Sequence, residues 1–192
     1  MPPTTGSGLA QMLSRVGISV ADGTDEALTA AKSFWVDDPR LQPLRRLVEE
    51  LMADGDWAVG VMGQDLVDQI LYPVLYRRLD DAAIIGGAAP YSLVTQHLIA
   101  WYADQRKWLD ALYQAWATDP EHGAANVTVL GRWLDEWLPR AQSATAPLLE
   151  SIDQLLGGDA GAQEAGAAEV ADIRERFTAL GLPGTQTEEV SS

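Results

Sequence analysis

Two histidines, no cysteine and 28 acidic residues are the raw material for any chemistry in this 192-residue chain. Helical bundles that bind two irons use paired Glu-x-x-His motifs, since residues three apart share one side of a helix, and add two carboxylates from other helices. Val94 stands three residues before His97, so that pair is missing. Asp119 stands three before His122, but Asp119-Pro120-Glu121-His122 reads as a helix start, with an N-cap aspartate and a surface histidine. A self-contained diiron site is thereby excluded. His97, amid Leu93, Val94, Leu98 and Ile99, reads as a hydrogen-bonded packing histidine rather than a general base. Without cysteine there is no thiolate ligand or cysteine nucleophile. No Gly-x-Ser-x-Gly elbow and no strand-borne phosphate loop is present either. Asp37, Asp38, Asp54, Asp56, Asp80 and Asp81 fall at loops and helix starts, where capping suits them better than metal binding. No residue is therefore assigned a catalytic, cofactor or metal role.

The tryptophans say more. Six of the seven lie between Trp57 and Trp137. Their plain reading is bundle core; the other is subunit contact, where Trp and Arg are enriched. Trp57, Trp133, Trp137 and Arg140 are the candidate contact residues.

The elements that carry these residues are all helical, with no period-2 alternation and no internal repeat. Residues 1–22 read as a flexible arm with one apolar patch (Leu9, Met12, Leu13, Val16), and residues 23–156 as the helical core. A first helix starts at Thr24 and stops before Asp37-Asp38-Pro39, because the residue before proline resists the α region. A second spans Pro43 to Ala53 with Leu44, Leu47, Val48 and Leu51 as its stripe. A long helix follows the N-cap Asp56 to Leu79, kinked at Pro73, and Gly60 and Gly63 in it imply close packing. The break is placed at Asp80-Asp81 through Gly86-Gly87. A second long helix, Pro90 to Thr118, carries Leu98, Trp101, Trp108, Leu112, Ala115 and Trp116 as its inward stripe. Asp104, Arg106, Lys107 and Asp110 form its outer face. Asp119 opens a further helix that kinks or restarts at Pro139. Residues 157–167 read as a Gly/Ala linker, and 168–192 as a short helix from Glu169, stopped by Gly181 and Pro183, with a disordered tail.

Lys and Arg number 13, for a net charge of −15, which repels phosphate backbones and anionic lipid surfaces. Nucleic acid and membrane are therefore poor partners. Met1 to Gly8 lack the basic and apolar regions of a secretory signal, and no apolar run approaches the roughly 18–20 residues of a spanning helix. A cytoplasmic location is expected.

Several stretches carry a family resemblance. Trp35-Val-Asp-Asp-Pro-Arg leads into Asp56-Trp57, then Gly63-Gln-Asp-Leu-Val-Asp-Gln-Ile-Leu-Tyr-Pro-Val-Leu-Tyr-Arg-Arg78. Trp101-Tyr-Ala-Asp, Lys107-Trp-Leu-Asp, Glu121-His-Gly-Ala-Ala-Asn126 and Trp133-Leu-Asp-Glu-Trp-Leu-Pro-Arg-Ala141 follow in order. Together, over about residues 30 to 180, they resemble the hydroxylase β subunit of the soluble bacterial diiron monooxygenases, in particular the phenol hydroxylase branch. The resemblance implies an all-α, ferritin-like bundle without iron ligands, matching only the C-terminal part of a β subunit. It implies a partner catalytic α subunit that holds the diiron centre, with a γ subunit and a regulatory protein as further partners. Electrons would come from NADH through a separate reductase, and substrates would be phenols, aromatics or small hydrocarbons. One departure is Asp65, where the family usually has Asn. The other is length: a half-bundle leaves an apolar face open, so self-association or permanent docking is expected. A stand-alone dimerising helical interaction or ligand-binding protein is the alternative.

Overall fold

A computed structural model describes residues 24–85, 90–155 and 161–182. These residues form helices and turns, with no strand among them. The arm at 1–22 and the tail beyond Leu182 lie outside the described residues.

Helix α1, Thr24–Asp37, carries Leu28, Phe34, Trp35 and Val36 exposed. Asp38 ends it by accepting from the Arg40 backbone N–H (2.9 Å) and pairing with the Arg40 guanidinium. Helix α2, Gln42–Ala53, buries Leu44, Leu47 and Leu51, one stripe at helical spacing. The Asp54 carboxylate accepts from Asp56 N (2.8 Å), and Asp56 caps helix α3, Trp57–Pro73, by accepting from Ala58 N (3.0 Å).

Helix α3 is the buried axis of the molecule. From Leu66 to Leu71 every residue is buried. It packs on α2 at Gly63, where a Cβ would lie 2.2 Å from Leu51 Cδ2, so the expected close packing is real. Beyond Pro73 the chain does not simply kink. It widens into a π turn, Val74–Arg78, with Leu79 N–H donating to Val74 O, and continues as α4, Leu79–Ile85. The break expected from Asp80 onward therefore does not begin before Ile85, and Gly86-Gly87 lie outside the described residues. Asp80 is helical because its carboxylate is satisfied sideways, accepting from Ser92 Oγ and Thr95 Oγ1 at 2.8 Å each. Those two hydroxyls lie on α5, Pro90–Ala117, and tie α4 to it.

Asp119 accepts from the backbone N–H groups of Glu121 (3.0 Å) and His122 (2.7 Å), as an N-cap should. Helix α6 then runs unbroken from Gly123 to Leu155, through Pro139 and Pro147. No restart occurs at Pro139. The carbonyls deprived of a donor belong to Asp135 and Ser143, both exposed to water, while Leu134, Trp137, Leu138, Ala141 and Ala144 hold the buried side across the gap.

Helix α7, Ala162–Ala179, starts inside the stretch read as a linker. Two causes operate. Alanine is the strongest helix former, and Asp153 on α6 accepts from Ala162 N (2.7 Å) and Gln163 N (3.0 Å). Gly166 lets α7 approach α6 closely, since a Cβ there would lie 2.5 Å from Leu149 Cδ1 and displace that side chain. Gly181, at φ +78°, ends the helix, with Leu182 N–H donating to Phe177 O (2.9 Å).

The core lies where α2, α3, α6 and α7 meet. Met62, Leu66, Ile70, Leu130, Leu134, Leu138, Ile173 and Phe177 are all within a few per cent of full burial. Helix α5 joins it by one edge, burying Ser92, Thr95, Leu109 and Tyr113. The stripe expected to face inward instead faces out: Trp101 is 52% and Trp108 57% exposed. Ala115 is exposed as well, and Leu98, Leu112 and Trp116 are half-buried. Of the expected outer face, Asp104 and Lys107 are exposed, whereas Arg106 and Asp110 are half-buried and Asp110 pairs inward with Arg176.

Candidate functional site: a buried polar network beneath an open groove

Asp65, Asp68, Gln69 and Tyr72 recur at i, i+3, i+4 and i+7 on α3, so they form one polar stripe on an otherwise apolar helix. Such groups must be paired where they are buried. Arg176 of α7, its side chain 9% exposed, is the hub. It donates from Nη1 to Asp65 Oδ2 (2.6 Å) and to Gln69 Oε1 (3.2 Å), and from Nε to Asp110 Oδ1 (2.7 Å). Tyr113 on α5 donates its hydroxyl to the same Asp65 oxygen (3.0 Å). The guanidinium also lies 5.5 Å from the Tyr113 ring centre and 5.1 Å from that of Phe177.

Asp68 sits one turn along. It accepts from Gln64 Nε2 (2.8 Å) and from Gln105 Nε2 (3.1 Å). Burial raises its pKa above the ordinary carboxylate value, only partly offset by those two amides. Burial likewise pushes the Tyr113 hydroxyl well above its usual value, with Asp65 adding to the shift. For Arg176 burial acts to lower the pKa, but Asp65 and Asp110 outweigh it and hold the guanidinium charged.

Two clefts flank this network. One, of about 480 Å³, is lined by Tyr72, Tyr76 and Tyr102 with Arg106, Asp110 and Glu169. Its rings pack closely, with Tyr72 centred 4.8 Å from Tyr76 and 4.9 Å from Tyr102. The other, of about 500 Å³, runs between α3 and α5. Met52, Trp57 and Trp108 rim it, and Asp65 and Gln105 line its floor. There Asp65 Oδ1 and Gln105 Oε1 are buried without a hydrogen-bond partner.

The donor set does not suit a metal. Among the described residues no group of three or more His, Cys, Asp or Glu is placed to hold one. The carboxylates that converge are already bound by Arg176, Gln64 and Gln105, and a guanidinium stands between Asp65 and Asp110. Nor does the cluster offer a nucleophile with an adjacent base. What it does is tie three helices together through one buried cation, Arg176.

The expected residues fall elsewhere. His97 and His122 are exposed, so His97 is not the packing histidine that its apolar neighbours suggested. Trp137 is buried (4% exposed) beneath Arg140, whose guanidinium lies 4.1 Å from its ring centre and pairs with Glu50 of α2. Arg140 and Glu50 thus join α6 to α2 within the chain, over the buried Trp137 ring. Trp133 is half-buried against the core. Trp57 is 65% exposed and stacks edge-on against Trp116 at 5.5 Å. It shares a further groove with Trp133, lined also by Val129 and Leu130. Arg176 was missed because its helix had no assigned partner, although the polar stripe of α3 signalled that a cation had to reach it.

Comparison with known proteins agrees with this architecture. Residues 7–120 match the family model described as methane/phenol/alkene hydroxylase. The chain is 37% identical over 144 residues to the phenol 2-monooxygenase oxygenase component DmpL of Pseudomonas sp. (strain CF600), covering 74% of this chain and 43% of that relative. It is 31% identical over 144 residues to the propane 2-monooxygenase hydroxylase small subunit of Rhodococcus jostii (strain RHA1), covering 72% and 39%. Among solved structures, the xenon-pressurised phenol hydroxylase from Pseudomonas sp. OX1 superposes with a TM-score of 0.72 at 30% identity, over 91% of this chain and 50% of that chain. The shared fold is ferritin-like. The chain spans less than half the length of the curated relatives it matches.

Proposed function

The chain belongs to the methane/phenol/alkene hydroxylase family, and on that premise we propose that it is a non-catalytic structural subunit of a multicomponent, NADH-dependent diiron monooxygenase. Its substrates would be phenolic, aromatic or small hydrocarbon compounds. A partner catalytic subunit would hold the diiron centre and carry the oxygen chemistry. This chain would keep the helical frame and dock against that partner. The observation that carries the reading is Arg176, charged and buried between Asp65 and Asp110, at the centre of a fold whose relatives are oxygenase and hydroxylase components. A fixed cation among the carboxylates supports a frame rather than a reaction centre. Of the candidate contacts, Trp57 and Trp133 remain available for the partner; Trp137 and Arg140 are engaged within the chain.

Co-expression with a catalytic hydroxylase subunit bearing paired Glu-x-x-His motifs tests the proposal. The two should co-purify, with iron in proportion to the partner, and phenol turnover should require both plus NADH and reductase. Turnover by this chain alone, or a failure to co-purify, would overturn it. No helix among the described residues is long and apolar enough to cross a membrane.

A further inference from the structure

Tyr113 is fully buried, and its hydroxyl donates to Asp65 Oδ2 (3.0 Å). Burial and the neighbouring carboxylate hold this phenol well above its ordinary pKa, so it keeps its proton unless an electron leaves as well. The acceptor is unusual. Asp65 Oδ2 also receives Arg176 Nη1 (2.6 Å), while Asp65 Oδ1 is buried and bonded to nothing. An unpaired oxygen of a buried carboxylate is costly, and more so while it carries charge. Being buried, it is out of reach of a donor from solvent. The protons of Arg176 are fixed on a permanent cation, which leaves the Tyr113 proton as the mobile one at this carboxylate.

The Tyr113 ring does not stand alone. Its centre lies 5.9 Å from that of Trp116, at 67°, and Trp116 lies 5.5 Å from Trp57, at 70°. Both are spacings of rings in edge contact. Trp57 is 65% exposed. Three oxidisable rings therefore lead from solvent to a buried phenol. Phe177, centred 5.2 Å from Tyr113, is not oxidised by the same reagents, so the path stops at the phenol. Tyrosine gives up an electron more readily than tryptophan when its proton can leave, and an electron vacancy entering at Trp57 thus runs downhill to Tyr113.

The charges favour that end point. Asp65 and Asp110 flank one cation, Arg176, and their excess negative charge stabilises an electron vacancy beside them. When the Tyr113 proton passes to Asp65, Arg176 keeps Asp110 as counter-ion (Nε to Oδ1, 2.7 Å), so no buried charge is stranded. The unpaired Asp65 Oδ1 then carries no charge, and the cost of leaving it without a donor falls. A second ring cluster, Trp101 with Tyr72, Tyr76 and Tyr102, is the rival. There the Arg106 guanidinium donates to the Tyr102 hydroxyl (3.2 Å), and both oxygens of Asp68 are already taken, by Gln64 and Gln105.

We infer that Trp57, Trp116 and Tyr113 form a one-electron relay, with Asp65 as the base that takes the Tyr113 proton. A small radical able to oxidise tryptophan removes one electron from Trp57 at the surface. Trp116 refills Trp57, and Tyr113 refills Trp116. The Tyr113 O–H bond breaks as that electron leaves, and an O–H bond forms on Asp65 Oδ2. The products are a neutral tyrosyl radical, a protonated Asp65 and the oxidant reduced by one electron. A one-electron donor at Trp57 reverses each step and returns the proton to the phenol. The relay is a property of this chain alone and goes beyond the subunit reading.

The test is pulse radiolysis of the full chain at neutral pH with azidyl radicals, which oxidise exposed tryptophan. Tryptophan-radical absorbance should decay in a first-order phase, independent of protein concentration, as tyrosyl absorbance rises. Tyr113→Phe keeps the ring and should remove that phase while the circular dichroism spectrum stays unchanged. Trp57→Phe should lower its amplitude, and Tyr72→Phe should leave it intact. In the unaltered chain the phase should be slower in D2O, a readout of the proton transfer that needs no variant to fold. Survival of the phase in Tyr113→Phe, its loss in Tyr72→Phe, or equal rates in H2O and D2O would overturn the inference. So would tyrosyl formation whose rate rises with protein concentration. No partner is present in this measurement, so the subunit reading stands or falls by co-purification alone.

Discussion

Helix α5 carries three tryptophans and α6 two, yet the molecule treats Trp101 and Trp108 of α5 and the pair on α6 oppositely. On α6, Trp137 is buried and Trp133 packs against the core. On α5, Trp101 and Trp108 face out. The difference does not lie in the tryptophans. Helix α6 meets α2, α3 and α7 along its apolar side and has Asp135 and Glu136 to leave outside. Helix α5 carries Gln105, Asp110 and Tyr113 toward Asp68, Arg176 and Asp65. Satisfying buried polar atoms fixed the rotation of α5, and its apolar stripe was left outward as a result. One side of the molecule is thus a closed core, the other an open one.

That contrast yields graded predictions for unfolding of the isolated chain in urea. Arg176→Met should have the largest effect, about 3–5 kcal/mol, because the buried Asp65 carboxylate is left without its cation. Adding Asp65→Leu should recover part of the loss; no recovery would mean that the network is not held by that pair. On the closed side, Leu134→Ala should cost about 2–5 kcal/mol through the cavity it leaves. A cost near zero would show that α6 is not core. Gly63→Ala, which drives a methyl into Leu51, should cost about 1–3 kcal/mol and move the α2/α3 contact as seen by hydrogen exchange. On the open side, Trp108→Ser should change stability by no more than about 0.5 kcal/mol. A large loss there would erase the contrast.

The smallest expected effect is a pH dependence at Asp68. Its folded pKa is raised by burial, so the folded state binds the proton more tightly than the unfolded state. Its charged form therefore costs stability at neutral pH, and that cost disappears as pH falls from the raised value through the ordinary one near 3.8. Asp68→Asn should gain on the parent chain at pH 7 and lose that advantage near pH 4. A pH-independent difference between the two would show that burial does not govern this carboxyl.

Much of the local order was legible in the residues. The caps at Asp56 and Asp119, the stop at Gly181, the stripe of α2 and the close packing at Gly63 all follow from short-range rules of capping and steric fit. The absence of paired Glu-x-x-His motifs is likewise a fact of the sequence alone. The start of α7 was less legible, because its cap comes from Asp153 on a different helix. Helix α6 survives Pro139 because the freed carbonyl faces water, which spacing does not reveal.

The sequence by itself determined that the chain is helical, that its acids outnumber its bases and that it has no paired Glu-x-x-His motifs; these depend on residue types and on spacings within one helix. Only the tertiary structure decided that Arg176 reaches Asp65, 111 positions away, and that the tryptophan stripe of α5 faces outward. Hydrophobic periodicity identifies an apolar face but carries no information about which neighbour covers it. A buried carboxylate must be paired wherever its partner stands in the chain, and here that requirement, rather than the count of apolar residues, set the orientation of α5.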